Sequence, residues 1–576
     1  MNDILVEFNE FGFQYNAQSS PTLYDINLQI RKGEKILIAG PSGCGKSTLV
    51  HCLNGLIPFS YKGQMSGSVK IKGQETKDLS LFDISKSVGT VLQDSDAQFV
   101  GLTVAEDIAF ALENNCVNEP ELHERVLKAA RLVNVETLLK HAPREISGGQ
   151  KQRVSVAGVM VEDKDVLIFD EPLANLDPAT GKTAIELIDE IAEKSGAAVV
   201  IVEHRLEDVL HRSVDRIVLM NKGRICADVT PDELLSSDIL KQNGIREPLY
   251  ITALKYAGVD ITPDKQPSNI STIKICEDDA AKVRSWYRQA RTIDKNIDSE
   301  VMLSVDDLSF SYEGGDTEIL HNVSLKVHKG EMMAVVGTNG AGKSTFCKVI
   351  CGLEDNAKGS ISFMGDDFTK YSIKERAEHI GYVMQSPNQM ISKIMIRDEV
   401  AFGLKCRGIS DAEIDSRVEK SLRTCGLWQF RNWPISALSF GQKKRVTIAS
   451  ILALNPEMII LDEPTAGQDY AHYTEIMEFL KKLNSEGITI MMVTHDMHLM
   501  LEYADRAVVF SNGKIIADDT SANILTDKTI VQAASLKETS LYNLADKCGI
   551  NEYASFTQSF IDYENENIRV GGNLDD

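Results

Sequence analysis

No run of apolar residues in this 576-residue chain approaches the roughly 18–20 needed to cross a bilayer. The longest, such as residues 196–202 between Lys194 and Glu203, have the length of a buried strand. The amino terminus, MNDILVEFNE, lacks a basic stretch followed by an apolar one, so no secretory leader is expected. Basic charge is also short: 61 Lys and Arg stand against 84 Asp and Glu, a formal net charge of −23. That sign argues against broad nucleic-acid binding, which depends on cations displacing counterions. No two of the ten cysteines have CxxC spacing. Cys347 and Cys351, four apart, would share a helix face; small buried residues in a reducing compartment are expected, not a disulfide or metal site. What remains is an ordinary globular composition, 43% hydrophobic and 25% charged, with length for several domains. The chain is expected in the cytoplasm, with any membrane work done through partners.

What the chain does have is a second copy of itself. Ser147 in ISGGQ and Ser439 in LSFGQ lie 292 residues apart, as do Asp170 in LIFDEP and Asp462 in IILDEP. Gln93 and Gln385 keep that offset, and His204 and His495 differ by 291. Lys46 and Lys343, in two glycine-rich loops, differ by 297, so the first copy carries five extra residues between Lys46 and Gln93, expected around 58–64. A period of roughly 20–50 residues would mean a solenoid, whereas this one means duplicated domains. KGRICADVTPDELL (222–235) echoes NGKIIADDTSANIL (512–525), and PLYITALKYAGVD (248–260) loosely echoes SLYNLADKCGI (540–550). The expected organisation is a first domain over 1–245, its extension and a linker over 246–300, a second domain over 301–535 and an extension over 536–576. ITPDKQPSN has linker chemistry, and EDDAAKVRSWYRQARTIDK reads as a short helix without an assigned place.

Each copy opens with a G-x-x-x-x-G-K-[ST] loop between an apolar run and a helical stretch, the context this motif requires. The first comprises Gly40, Pro41, Ser42, Gly43, Cys44, Gly45, Lys46, Ser47 and Thr48; the second Gly337, Thr338, Asn339, Gly340, Ala341, Gly342, Lys343, Ser344 and Thr345. Glycines let successive backbone N–H groups turn inward around phosphate oxygens, and the helix N-terminus adds its positive end. Lys46 and Lys343 are expected on the β- and γ-phosphates of ATP, with the Ser47 and Ser344 hydroxyls on Mg²⁺. VLIFDEP and MIILDEP then read as buried strands ending in carboxylates, at the sheet edge where open α/β folds bind ligands. Asp170 and Asp462 are expected to hold Mg²⁺ through water, and Glu171 and Glu463 to act as general bases toward the attacking water. One such pair alone would be a solvated turn; beside a phosphate loop it is not.

With these motifs in order in both halves, the chain resembles the ATP-binding-cassette family over nearly its whole length. The resemblance implies an α/β fold: two tandem P-loop nucleotide-binding domains, each with a RecA-like core, an antiparallel β subdomain and a helical subdomain carrying a signature sequence. Ser147, Gly148, Gly149 and Gln150, and Ser439, Phe440, Gly441 and Gln442, resemble that signature, which in the family caps the γ-phosphate held by the opposite domain. Gln93 and Gln385 look like Q-loop ligands of Mg²⁺, His204 and His495 like the switch histidines, and Tyr15 and Tyr312 like the aromatics that stack on adenine. Asp177 and Asp469 stand at the D-loop position of the interface. Ile146 for Leu, Phe440 for Gly and Gln468 for Leu depart from the family pattern without removing a catalytic group. The resemblance further implies that the two cassettes pair within the chain, closing on ATP and reopening after hydrolysis.

Within the family, the chain lacks both the fused membrane helices of full-length exporters and the long charged linker of ABC-F proteins. It is most similar to the ATPases of energy-coupling-factor transporters, bacterial importers of vitamins, vitamin precursors and transition-metal ions. The similar text follows each Q-loop: QDSDAQFVGLTVAEDIAFALEN (93–114) and QSPNQMISKIMIRDEVAFGLK (385–405). Gln98 with Phe99, and Gln389 with Met390, occupy the place that resemblance gives to coupling with membrane helices. It implies a scaffold membrane protein and a small substrate-binding membrane protein as partners, no nucleic acid, and a location on the cytoplasmic face of a bacterial membrane. The alternative is a soluble tandem ATPase acting on ribosomes or in regulation.

Overall fold

The computed structural model of the chain describes residues 3–93, 96–174, 176–289, 300–314, 317–465, 468 and 470–566. The chain divides into two compact units, residues 1–283 and 284–576. In the first, the apolar runs become the strands Lys35–Ala39, Val166–Asp170 and Ala198–Val202, nearly every residue buried. They lie in a six-stranded sheet ordered Arg224–Val229, Arg216–Asn221, Lys35–Ala39, Ala198–Val202, Val166–Asp170, Val88–Val91. All neighbours are parallel except the first pair. Parallel strands covered on both faces bury every side chain, which is why these segments show no alternation.

A second sheet, ordered Leu23–Arg31, Ile4–Tyr15, Gly63–Ile71, Gln74–Glu75, is antiparallel. Leu23–Arg31 alternates buried and exposed positions, as expected of a sheet with one solvated face. Phe8, Phe11 and Phe13 pack from it into one core with Ile36, Ile38, Leu49 and Val50. The helices Val104–Asn114, Glu119–Leu132 and Gly148–Met160 pack together as a helical layer.

The second unit repeats both sheets: Leu320–His328, Val301–Phe310, Lys358–Phe363, Asp366–Asp367, and Ile380–Val383, Met458–Asp462, Thr489–Val493, Met332–Gly337, Arg506–Ser511, Lys514–Asp519. Its helical layer, Ile396–Cys406, Asp411–Thr424 and Phe440–Leu452, has its own core around Val400, Leu404, Val418 and Val446. Register locates the length difference between the copies. Val6 pairs with Ile71, and Leu303 with Phe363. The extra residues therefore lie before Ile71, where the first unit has the short helix Leu56–Phe59 and a longer strand, Gly63–Ile71.

The stretch EDDAAKVRSWYRQ forms the helix Glu277–Gln289. From its end, Arg284 donates to Cys548 O at 2.8 Å and Tyr287 to Ser555 Oγ at 3.0 Å. Trp286 meets Phe556 and Tyr563 edge-on. The second unit thus packs its carboxyl-terminal extension on residues that precede its first strand. Cys347 and Cys351 are buried, as are four other cysteines; Cys116, Cys226, Cys276 and Cys406 are exposed, so burial does not account for the cysteines as a class.

Candidate functional site

Both glycine-rich loops link a central strand to a helix, Lys35–Ala39 to Lys46–Leu53 and Met332–Gly337 to Lys343–Ile350. Gly40 and Gly337 have φ of 153° and 139°, and a Cβ there would meet Met220 O at 2.3 Å or Phe510 O at 2.0 Å, so no side chain fits. Gly45 and Gly342, with φ of 106° and 97°, turn the chain into each helix. The Lys46 ammonium donates to Gly40 O at 2.7 Å and Pro41 O at 3.0 Å, and that of Lys343 to Gly337 O and Thr338 O, both at 2.9 Å. Each lysine is thus buried within its own loop. Tyr15 OH lies 3.2 Å from Thr48 Oγ1 and Tyr312 OH 3.1 Å from Thr345 Oγ1. Phe13 and Phe310 stand edge-on behind these rings. The antiparallel sheet therefore brings its aromatic to the loop in both units.

Asp170 and Asp462 end the strands Val166–Asp170 and Met458–Asp462. The next residues, Glu171 and Glu463, adopt φ of 46° and 48°, in the left-handed region that costs a non-glycine residue energy. Their N–H groups donate to Val202 O and Val493 O, each at 2.9 Å, so the neighbouring strand holds the turn. Gln93 Nε2 donates to Glu171 Oε2 at 2.6 Å, and Tyr382 OH to Asp462 Oδ2 at 3.1 Å. Burial first, then the adjacent Glu171, pushes the Asp170 carboxyl up to about 6 against the opposing Lys46 charge. Burial and the adjacent Asp462 push Glu463 up to about 8. The histidines differ: His495 Nε2 lies 3.2 Å from Glu463 Oε1, whereas His204 Nδ1 lies 3.1 Å from Glu203 Oε1.

These residues fit a magnesium nucleotide. The hydroxyls of Ser47 and Ser344, the side-chain oxygens of Gln93 and Gln385 and the carboxylates Asp170 and Asp462 are hard oxygen donors, the set such a cation takes. Gln93 spends its amide N–H on Glu171, which leaves its oxygen as the ligand atom. In each unit a carboxylate at the sheet edge resists ionisation beside a second one, Asp170 beside Glu171 and Glu463 beside Asp462, the environment a divalent cation relieves.

Ser147 and Ser439 are N-caps of the helices Gly148–Met160 and Phe440–Leu452. Each accepts from the N–H of Gln150 or Gln442, whose side chain accepts from the serine N–H in return. A Cβ on Gly148 would meet nothing within 4 Å, so Phe440 at the matching position projects outward without strain. Asp177 is the N-cap of Pro178–Ser195, accepting from Thr180 N at 2.9 Å and Thr180 Oγ1 at 3.0 Å. Asp469 lies outside the described residues.

In the segment after each Q-loop, side chains turn back on the loop's own backbone. Gln98 folds back, accepting from Leu92 N and donating to Thr90 O, and Met390 sulfur lies 3.2 Å from Met384 N. Phe99 is half-buried and Gln389 exposed. Among the described residues there, the most exposed apolar groups are Val100, Leu102 and Ile394, at 64%, 81% and 78% exposure. Leu102 and Ile394 each stand one residue before a helix N-cap, where an apolar side chain usually packs on the fourth helical residue. That residue is acidic here: Asp107 accepts from Val100 N and Gly101 N, and Glu399 from Ser392 N and Lys393 N. The acidic residue at that position is the sequence signal that the leucine and isoleucine lack a packing partner on their own helix.

Lys444 stands in the signature helix, five residues after Ser439. It is buried and donates to Met384 O at 2.8 Å and Gln385 O at 3.0 Å, tying the signature helix to the Q-loop of the second unit. Burial pushes it down to about 8 against the charges of Asp462 and Glu463. Gln152, the matching residue, donates instead to Pro172 O at 2.5 Å.

A family model described as ABC transporter matches residues 23–174 and 320–466, and one described as ATP-binding cassette cobalt transporter matches 237–310. A protein of Clostridium perfringens named an ABC transporter ATP-binding protein is 58% identical over 560 residues, 97% of this chain and 98% of its own length. An Enterococcus faecalis protein of the same name is 54% identical over 571 residues, 99% and 100% of the two chains. Among solved structures, cbiO1 from Clostridium perfringens, described as part of the ABC transporter complex cbiONQ, is 33% identical, covering 41% of this chain and 94% of its own at a TM-score of 0.38.

Proposed function

The chain belongs to the ABC transporter family of ATP-binding proteins, and we propose that it hydrolyses ATP at two sites to drive import through separate membrane subunits of energy-coupling-factor type. The observation that carries this reading is a constellation built twice, a lysine within a glycine loop and a strand-end Asp–Glu pair beside it, with a histidine close to a glutamate in each unit, Glu203 in the first and Glu463 in the second. In each site Lys46 or Lys343 exchanges its loop carbonyls for β- and γ-phosphate oxygens, and Tyr15 or Tyr312 stacks on the adenine. Glu171 or Glu463 orients the attacking water and accepts its proton as the water oxygen bonds to the γ-phosphorus and the bond to ADP breaks. His204 or His495 donates to the γ-phosphate. Magnesium, held by Ser47, Gln93 and Asp170 or by Ser344, Gln385 and Asp462, supplies positive charge that neutralises the phosphates and favours the ionised carboxylates.

Among the described residues, no helix is long and apolar enough to cross a membrane, so transport requires other chains. The exposed Val100, Leu102 and Ile394 beside the Q-loops support docking of membrane helices there. The match of 237–310 to a cobalt-transporter model supports a vitamin, vitamin precursor or transition-metal ion as the class of cargo. A tagged chain recovered from detergent-solubilised bacterial membranes is expected to bring a helical scaffold protein and a small membrane protein with it. Recovery of ribosomal proteins alone would overturn the importer reading in favour of the soluble alternative. Glu171→Gln combined with Glu463→Gln is expected to abolish turnover and retain bound ATP; undiminished phosphate release refutes the assigned bases.

A further inference from the structure

We propose that Tyr382 is a positioning residue for Asp462, fixing the carboxylate through which the second ATP site holds its divalent cation; this rests on the reading of Asp462 given above. Strand register places the two side chains together. Tyr382 lies in the strand Ile380–Val383 and pairs with Ile460 of the parallel strand Met458–Asp462. Side chains two apart on a strand share a face, so Asp462 stands on the same side as Ile460 and Tyr382. The Tyr382 ring packs on the core of the second unit, and its hydroxyl donates to Asp462 Oδ2 at 3.1 Å. Among the described residues this is the one hydrogen bond that the Asp462 carboxylate accepts. A free aspartate carboxylate turns over a broad range of χ2. A phenol on a packed ring pins one oxygen by a charge-assisted bond and leaves Oδ1 for a water on the cation. Tyr382 also stands three residues before Gln385, a second ligand of the same cation.

The first unit keeps the register and changes the side chain. Thr90 pairs with Ile168, two residues before Asp170, so it stands where Tyr382 does. Its hydroxyl is buried and has no hydrogen-bond partner among the described residues. A threonine oxygen sits one bond beyond Cβ, whereas a tyrosine oxygen lies across a whole ring. Only the longer side chain spans the diagonal to the strand-end carboxylate. Outer-shell partners of this kind tune metal affinity without touching the metal. The divalent cation of the second site therefore depends on the Tyr382 hydroxyl, and that of the first site is indifferent to the hydroxyl of Thr90.

Mn²⁺ binding to the full chain in the presence of ADP tests this, free Mn²⁺ being read by electron paramagnetic resonance. A Lys46→Ala background confines uptake to the site of Lys343, and a Lys343→Ala background confines it to the site of Lys46. In the first background, Tyr382→Phe, which keeps the packed ring, is expected to weaken Mn²⁺ binding about tenfold. That is the low end for a lost outer-shell partner, because Asp462 reaches the cation through water. ADP affinity in excess chelator is expected to be unchanged, which separates lost orientation from damage to the fold. In the second background, Thr90→Val is expected to leave Mn²⁺ affinity unchanged. Unchanged Mn²⁺ affinity in Tyr382→Phe overturns the proposal, as does a metal-free ADP affinity that falls by as much. An equal loss of Mn²⁺ affinity in Thr90→Val overturns it too, since the hydroxyl there has nothing to orient. If the Lys46→Ala chain takes up ADP without Mn²⁺, the reading of the second site as a magnesium site falls, and the role of Tyr382 with it.

Discussion

Glu463 is where burial and charge oppose each other most sharply at the residue scale. Its carboxyl is pushed up from an ordinary value near 4.5 to about 8, by burial and then by Asp462. Between those values the folded chain holds a proton that the unfolded chain has lost. The stabilisation is full below about pH 4.5 and disappears as pH rises through about 8. The nucleotide-free chain is therefore expected to lose thermal stability across that window. Glu463→Gln, neutral at every pH, is expected to flatten the slope and to be more stable than the parent at pH 8, by on the order of 1–3 kcal/mol. Melting curves at three pH values check this; parallel profiles for the two proteins refute it. Lys444 makes a complementary case. Lys444→Met removes the donor to two carbonyls, Met384 O and Gln385 O, and is expected to destabilise the second unit by about 1–3 kcal/mol, read by denaturant unfolding.

At this scale, what sequence could show was decided by distance along the chain. The phosphate loops and the Asp–Glu pairs are legible because each packs its chemistry into one short segment whose backbone shape demands particular residues. Glu203 and Lys444 were invisible because their partners lie far away: Leu173 is 30 residues before one, and Gln385 is 59 before the other. Both stand beside motif residues, Glu203 before His204 and Lys444 five residues after Ser439, but neither residue type names its partner. Only the fold brings them to the site.

Among the elements, the two signature helices look interchangeable by sequence and differ in their surroundings. A Cβ on Gly149 would lie 2.7 Å from Thr180 Cγ2, a stiff β-branched side chain, whereas one on Gly441 would lie 3.5 Å from Gln468 Oε1. Gly149→Ala is therefore expected to cost about 1–3 kcal/mol through overpacking, and Gly441→Ala close to nothing, as measured by chemical denaturation. Equal effects would mean that the helix Pro178–Ser195 yields freely. The elements that sequence located best are the parallel strands, whose unbroken apolar runs follow from burial on both faces. The helix Glu277–Gln289 was legible as a helix, but the partner of Trp286 was not. Its partners Phe556 and Tyr563 come from a segment whose own sequence carries no motif.

For the whole molecule, on the proposed import reading, a chain of net charge −23, with no helix among its described residues long and apolar enough to cross a membrane, meets membrane subunits through its own surface. Gln98 and Met390, marked by family resemblance, spend their polar atoms and sulfur on their own Q-loop backbone and so shape the surface more than they form it. Leu102 and Ile394 stand 292 residues apart at the same point of the repeat, each without a packing partner on its helix and each nearly fully exposed. Leaving two such side chains in water costs about 1.5–3 kcal/mol apiece relative to burial, and a docked apolar partner recovers it. Leu102→Glu together with Ile394→Glu is expected to leave the melting temperature and ATP affinity of the isolated chain unchanged, because neither side chain packs internally. The same pair of changes is expected to cut recovery of the membrane partners by tenfold or more. Partner recovery equal to that of the parent would move the docking surface away from the Q-loops, to apolar groups such as Phe110 and Phe402 on the neighbouring helices.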